Sequence, residues 1–406
     1  MVFCCWIVAV LGIPKLWTFP DIRYFRPVKE EVFYSSYPIG VFIQGVKTLV
    51  SLSTRSSKVT IPDFDQTIYP GREIYIQIIG EAEQYYRWAE EVKKMNSSLL
   101  ANRQVAIFHK NISQAVYTYL SVPMMLTGTD DLAQASQKPT WVQFAQQRGC
   151  RTGWLAANEF DQQNWYRSAV DFSYDLHEIT ENADRQMYDD MLLPEIRRIL
   201  RQGTEKLCLV IHTGGSHVNY LQRYRPEQEK YKVDRKAFFN MRHPDHKFAT
   251  HTAYHNTLVK NIQFLDAVIA ELKKYDDARV LMIYAPDHGE NLYDDGTKMA
   301  THGRSNPSRY ELHVPLVVWA SSELIRMQPE EWQAMIENQS EPVSNKYIFP
   351  TLLWAMGINH LKVSDAPPLF ADKRILRISP RKITNSEGKK FQFEDHESQS
   401  SKQLSH

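Results

Sequence analysis

At 406 residues, 43% hydrophobic, 12% aromatic and 23% charged, the chain can bury a sizeable core and has room for two or three ordinary domains or one long α/β enzyme. Its 48 Lys and Arg against 47 Asp and Glu leave a formal charge of +1, which excludes a bulk polycation built for nucleic acid and an acidic disordered chain. Four cysteines and a mean hydropathy of −0.45 exclude a disulfide-stapled mini-protein, a cysteine-rich zinc scaffold and a multi-span membrane protein.

Residues 1–14, MVFCCWIVAVLGIP, carry no charge, and the first charged residue is Lys15. Fourteen residues at ~1.5 Å rise reach about 21 Å, short of a hydrocarbon core of roughly 30 Å. No positive n-region precedes them, as a secretory signal would require. Three readings stay open: the tail of a transmembrane helix that starts outside this chain, an uncleaved apolar anchor, or a buried N-terminal helix. Trp17, Phe19 and Tyr24, with Lys15, Arg23 and Arg26, fit an interfacial belt. The expected organisation is an anchor stub and membrane-proximal segment over 1–60, a catalytic domain over 61–385, and a polar, disordered tail over 386–406, with residues 385–406 read as a surface strand or arm that leads into the disordered tail.

Six short apolar runs then read as strands. They are Ile74–Ile79, Val105–Phe108, Thr152–Ala156, Leu207–His212, Val280–Ala285 and Val314–Trp319. None alternates strictly, which is the pattern of parallel strands covered on both faces. Leu258, Ile262, Leu265, Ile269 and Leu272 recur at helical spacing between two of them. Strands alternating with helices predict a doubly wound, mostly parallel α/β sheet flanked by helices. In such a sheet the site lies beyond the carboxyl ends of the strands, so polar residues just after a strand are the candidates.

Gly80-Glu81 follows the first run. Ser113–Pro123 follows the second and leads into the apolar Met124–Leu126; Thr118 and Ser121 are its candidate hydroxyls. A hydroxyl at a helix N-terminus sits at the positive end of the dipole, which favours its alkoxide and an incoming phosphate. Spacing does not choose between the two. His212-Thr213-Gly214-Gly215-Ser216-His217 ends the fourth run, and Asp287-His288-Gly289-Glu290 the fifth; His302-Gly303 precedes the sixth. Adjacent Asp and His converge on one ion only where a strand has ended and the chain turns, and Gly289 permits that turn. Carboxylates and neutral imidazoles are ordinary ligands of Zn²⁺, so Glu81, Asp287, His288, His217 and His302 form a candidate metal site. His243, His246, His251 and His255 lack H-E-x-x-H spacing and read as a solvated loop. His109, His177, His313 and His360 read as structural.

Together these segments resemble the phosphoethanolamine transferases of Gram-negative bacteria, within the alkaline phosphatase and sulfatase superfamily. The resemblance rests on Gly80-Glu81-Ala82, Thr118-Tyr119-Leu120-Ser121-Val122-Pro123, Gly215-Ser216-His217 with Tyr220 and Arg223-Tyr224-Arg225-Pro226, Tyr254-His255-Asn256-Thr257, Asp287-His288-Gly289-Glu290, His302-Gly303 and His313-Val314-Pro315. These run in one order over about residues 70–320. The resemblance implies Thr118 as the nucleophile and Glu81, Thr118, Asp287 and His288 as ligands of a first zinc. It implies His217 and His302 as catalytic histidines that hold the substrate phosphate or a second zinc, with Mn²⁺ or another divalent metal as the variant. It also implies a phosphatidylethanolamine donor, a glycan or glycolipid acceptor as in lipopolysaccharide modification, and an inner-membrane protein whose catalytic domain faces the periplasm.

Several positions depart from the family pattern. Ala82 stands where the family has Thr, Gln84 where a downstream Arg is usual, and Met124 where a Cys follows the Pro. The family's Asn-Asn-x-x-x-Lys segment is echoed by Asn158, Asp161 and Asn164, and Cys150 and Cys208 are expected to stay unpaired. The rival readings are a phosphoglycerol transferase, a phosphodiesterase or sulfatase-type hydrolase, and a non-catalytic scaffold. A sulfatase needs Cys/Ser-x-Pro-x-Arg, and Ser121-Val122-Pro123-Met124-Met125 has Met where the Arg belongs.

Overall fold

The computed structural model describes residues 59–395, apart from 101, 159–165, 168–169, 180–185, 236–242, 299 and 360–365. The apolar residues 1–14, Asp161, Asn164, His360 and the end of the polar tail lie outside the described residues. Among the described residues no helix is long and apolar enough to cross a membrane.

Seven strands form the central sheet: Glu73–Gly80 (β1), Val105–Phe108 (β2), Arg151–Ala156 (β3), Phe172–Asp175 (β4), Lys206–His212 (β5), Arg279–Pro286 (β6) and Leu316–Ala320 (β7). Their order is β2-β7-β6-β1-β5-β3-β4. β1 pairs in parallel with β5 and β6, and β3 with β5 and β4. β7 is antiparallel to both its neighbours, so the sheet is mixed but mostly parallel. β7 begins at Leu316 rather than Val314, because Pro315 has no N–H to give to the ladder. β4 has no counterpart among the apolar runs. It is a short edge strand, partly exposed, and needs no continuous apolar sequence.

Six helices matter for the site: Tyr85–Met95 (α1), Thr118–Thr127 (α2), Trp141–Gln147 (α3), Leu193–Arg201 (α4), Lys247–Leu272 (α5) and Ile348–Ala355 (α6). Strand residues alternate between two cores. Ile74, Ile76 and Ile78 of β1 pack with Trp88 and Val92 of α1, Ile196 and Ile199 of α4, and Leu258, Ile262 and Leu265 of α5. Tyr75 and Ile79 point the other way, among Val122 and Met125 of α2, Phe144 of α3 and Leu352 of α6. Each such fully buried Ile or Leu contributes about 1.5–3 kcal/mol, so the helices are held on both faces by the strand period itself.

Of the four histidines expected in a solvated loop, His243 and His246 lie in the short turn before α5, and the other two are placed differently. His251 and His255 lie on α5, and His255 faces α1, with Nδ1 at 2.7 Å from Glu91 Oε1 and Nε2 at 2.9 Å from Arg87 Nη1. The apolar stripe of α5 extends its helix backwards through them, and α1 supplies polar partners that a sequence window cannot show. At the other end, Lys382–Thr384 and Lys390–Gln392 form an antiparallel hairpin, and Phe393 behind it is buried. The second strand of the hairpin falls where the sequence suggests a surface strand or arm ahead of the tail.

Candidate metal centre

β1 lies between β5 and β6, with Gly80 opposite Pro286 and Ile79 opposite His212. The residues that follow these three strands therefore leave the sheet side by side. Asp287 N–H donates to the Gly80 carbonyl at 3.0 Å, Ala82 N–H to Asp287 Oδ1 at 3.3 Å, and Ser216 N–H to the Glu81 carbonyl at 2.8 Å. Ala82 turns the chain with a φ of 55°, a left-handed conformation that costs a residue with a Cβ about 1–2 kcal/mol. Gly289 is needed for close approach: a Cβ there would lie 2.2 Å from the Tyr310 carbonyl oxygen.

These turns bring Glu81, Asp287 and His288 together, all buried, with candidate ligand atoms within 4.8 Å of one another. His288 Nε2 lies 3.2 Å from Glu81 Oε1 and 3.6 Å from Asp287 Oδ2. None of these three atoms has a hydrogen bond of ordinary geometry to another described residue. Buried polar atoms are normally satisfied, and converging carboxylate oxygens are costly without a cation between them. Two oxygens and one imidazole nitrogen are a donor set that fits a divalent metal, zinc among them. In the metal-free chain a proton takes part of that role. Burial pushes the His288 imidazole down, but the charges of Asp287 and Glu81 outweigh it and hold its pKa at about 10. Burial works to raise Glu81, and His288 overcomes it, leaving the carboxyl well below its ordinary range; burial and then the Glu81 charge push Asp287 up.

Thr118 is the first residue of α2, and its hydroxyl donates to Glu81 Oε2 at 3.2 Å. Ser121, one turn later, points its hydroxyl at the Asp287 backbone carbonyl, which also accepts from Ser113. The two hydroxyls left open by spacing thus have different surroundings: Thr118 faces the carboxylate cluster and Ser121 the backbone beneath it.

Around the trio the structure gathers residues from each strand end. Asn158, just after β3, donates from Nδ2 to Glu81 Oε2 at 2.9 Å and lies 3.3 Å from His212 Nε2. The His302 ring centroid is 4.2 Å from that of His288, and its Nδ1 is 2.9 Å from Glu290 Oε2. His217 sits on the loop after β5, and its Nδ1 is 3.0 Å from Arg223 Nη2. Asp189 braces that loop, accepting from Gly214 N–H at 2.7 Å and Gly215 N–H at 3.1 Å. Asn158 and His212 are legible in the sequence as polar residues at a strand end; Glu290, Arg223 and Asp189 carry no such mark as ring and loop partners. His313 and His109 form a hydrogen-bonded pair in which His313 stacks on Tyr85 and His109 meets the same ring edge-on. Cys150 and Cys208 carry free thiols.

A family model described as Sulfatase matches residues 75–358. YhbX of Escherichia coli (strain K12) is 28% identical over 278 residues, covering 64% of this chain and 46% of that protein. Phosphoethanolamine transferase EptA of Helicobacter pylori (strain ATCC 700392 / 26695) is 24% identical over 296 residues, 68% of this chain and 52% of its own length. The chain thus spans about half the length of the curated relatives it matches. Among solved structures, the C-terminal periplasmic domain of EcEptC from Escherichia coli in complex with Zn superposes with a TM-score of 0.68 at 18% identity, covering 82% of this chain and 97% of that domain. That likeness establishes the fold, an α/β sheet of alkaline phosphatase type.

Proposed function

The chain belongs to the Sulfatase family, and from that premise we propose that it is a metal-dependent phosphoethanolamine transferase acting on phosphatidylethanolamine. The observation that carries the reading is the Thr118 hydroxyl at the head of α2, 3.2 Å from the buried Glu81 carboxylate, which with Asp287 and His288 leaves three buried polar atoms unsatisfied. Similarity to transferases of phosphoethanolamine supports the donor. Met125 in place of the arginine that a formylglycine sulfatase needs supports transfer over sulfate hydrolysis.

Glu81, Asp287, His288 and Thr118 would hold the metal, zinc in this reading. Bound there, the ion lowers the pKa of a coordinated hydroxyl and neutralises charge on a phosphoryl oxygen. The Thr118 oxygen attacks phosphorus in line; the bond to the glycerol oxygen breaks and diacylglycerol leaves with a proton. Phosphoethanolamine stays on Thr118. A hydroxyl of a cell-envelope glycan or glycolipid then attacks, loses its proton and frees Thr118. His217 and His302 contact the phosphoryl oxygens or carry these protons. The helix dipole of α2 favours the anion at its N-terminus. This chemistry suits a domain on the periplasmic side of the inner membrane, with residues 1–60 tying it to its lipid donor.

Incubation of the zinc-loaded protein with fluorescent phosphatidylethanolamine tests the proposal. Release of fluorescent diacylglycerol and a phosphoethanolamine mass adduct on the peptide containing Thr118 are expected. Release at the native rate from Thr118→Ala sinks the assignment of the nucleophile.

A further inference from the structure

His217 and His302 are tied to partners of opposite character. His302 Nδ1 lies 2.9 Å from Glu290 Oε2. A carboxylate oxygen only accepts, so this Nδ1 carries a proton and, in the neutral ring, Nε2 carries the lone pair. His217 Nδ1 lies 3.0 Å from Arg223 Nη2. A guanidinium only donates and keeps its charge, so in this ring Nδ1 bears the lone pair and the proton sits on Nε2.

The second arrangement is braced. Arg223 Nε donates to the His217 carbonyl at 3.2 Å and Nη2 to the Val218 carbonyl at 3.4 Å, so one guanidinium grips both the ring and its backbone. The Arg223 charge acts in turn on Asp189, which accepts from the N–H groups of Gly214 and Gly215. Arg223 therefore ties together the loop, the ring and the ring proton.

We infer that Arg223 is a positioning residue that fixes His217 as a neutral ring donating from Nε2–H. His217 then gives a hydrogen bond to an oxygen of the transferred phosphoryl group and is not a ligand of a second cation. A cation on Nε2 would require the proton to leave while a guanidinium still holds Nδ1, which makes the ring an imidazolate. His302, with its Nε2 lone pair, is the ring of the two that can accept a proton or a cation. The role given to the donated bond rests on the phosphoryl-transfer reading above; the position of the proton does not.

Nitrogen NMR of the full chain with labelled histidines, near neutral pH and with and without excess zinc, tests the inference. His217→Gln identifies the His217 signals. The expected pattern is a bare Nδ1 and a protonated Nε2, unchanged by zinc, and a zinc content that His217→Gln leaves intact. Arg223→Met should mix the two tautomers, and Arg223→Lys, which restores a donor, should recover the wild-type pattern. Turnover of the fluorescent lipid should fall roughly 10–100-fold in Arg223→Met. A protonated Nδ1 in the wild type, loss of the Nε2 proton on adding zinc, or loss of one zinc equivalent in His217→Gln overturns the inference. Failure of every form to cleave the lipid counts against the proposed function alone, because the NMR pattern still decides this one.

Discussion

The hydroxyl of Ser121 donates to the backbone carbonyl of Asp287, joining the first turn of α2 to the loop that carries two of the three candidate metal ligands. The bond is buried, and Ser113 donates to the same carbonyl. Ser121→Ala should therefore cost about 0.5–1.5 kcal/mol of stability while leaving the Thr118 hydroxyl in place. Denaturant unfolding of the variant should show that loss with turnover kept. A Ser121→Ala protein as inactive as Thr118→Ala would make Ser121 part of the chemistry.

Thr118 is predicted to behave in the opposite way. Its side chain donates to Glu81 at 3.2 Å and also bonds Asp287, so Thr118→Ala should cost only about 1–2 kcal/mol of stability. Turnover should fall by roughly 10³-fold or more, as expected when an attacking group is removed. Thr118→Ser keeps the hydroxyl and should retain measurable activity and the mass adduct.

Gly215 has a φ of 45°, and a Cβ there would lie 2.8 Å from both the nitrogen and the oxygen of Glu81. Gly215→Ala cannot be relieved by a rotamer change, because both clashes are with backbone. Glu81 must move, and zinc affinity should drop by about 10-fold or more. Zinc titration of the purified variant checks this; wild-type affinity would mean that the loop yields instead.

Zinc should stabilise the fold, because it satisfies atoms that are otherwise buried without partners. At a free zinc concentration about 100 times its Kd the gain is roughly 2.7 kcal/mol. The melting temperature should rise on adding zinc and fall again with a chelator. Glu81→Gln, with a weaker ligand, should respond less at the same zinc concentration.

Away from the site, Glu91 on α1 should govern part of the acid sensitivity. Burial works to raise its pKa. Hydrogen bonds from His255 of α5 and Tyr231, with the charges of His255 and Lys94, outweigh burial and hold it at about 2, against an ordinary value of 4.5; Lys230 lies 3.5 Å away. A depressed carboxyl stabilises the fold above its unfolded pKa and loses that contribution as pH falls through the folded one. Between about pH 4.5 and 2 the wild type should therefore lose more stability than Glu91→Gln. Unfolding curves across that range check the sign.

Much of this architecture is written locally in the chain. Six of the seven sheet strands coincide with apolar runs, because a strand covered on both faces must be apolar along its length. The rule that sites lie beyond strand ends then puts Glu81, Asp287 and His288 among five candidates, with His217 and His302, without any contact information. β4 escapes because an exposed edge strand does not need such a run. His251 and His255 escape because their partners, Arg87 and Glu91, lie more than 160 positions away. Residue chemistry alone leaves Thr118 and Ser121 equivalent; only resemblance to a family separates them in the sequence.

Periodicity and strand ends are properties of neighbouring residues, so the sheet-and-helix class, the candidate ligands and the short list of hydroxyls can be read along the chain. Tertiary structure alone decided what those residues face. Pairing of β1 with β6 sets Ala82 against Asp287 across 205 positions, the packing of α2 aims Thr118 at Glu81, and the partners Arg223 and Glu290 give two similar histidines opposite protons. Such choices depend on the register and on atoms a few ångströms away, and neither is encoded in any one segment of the chain.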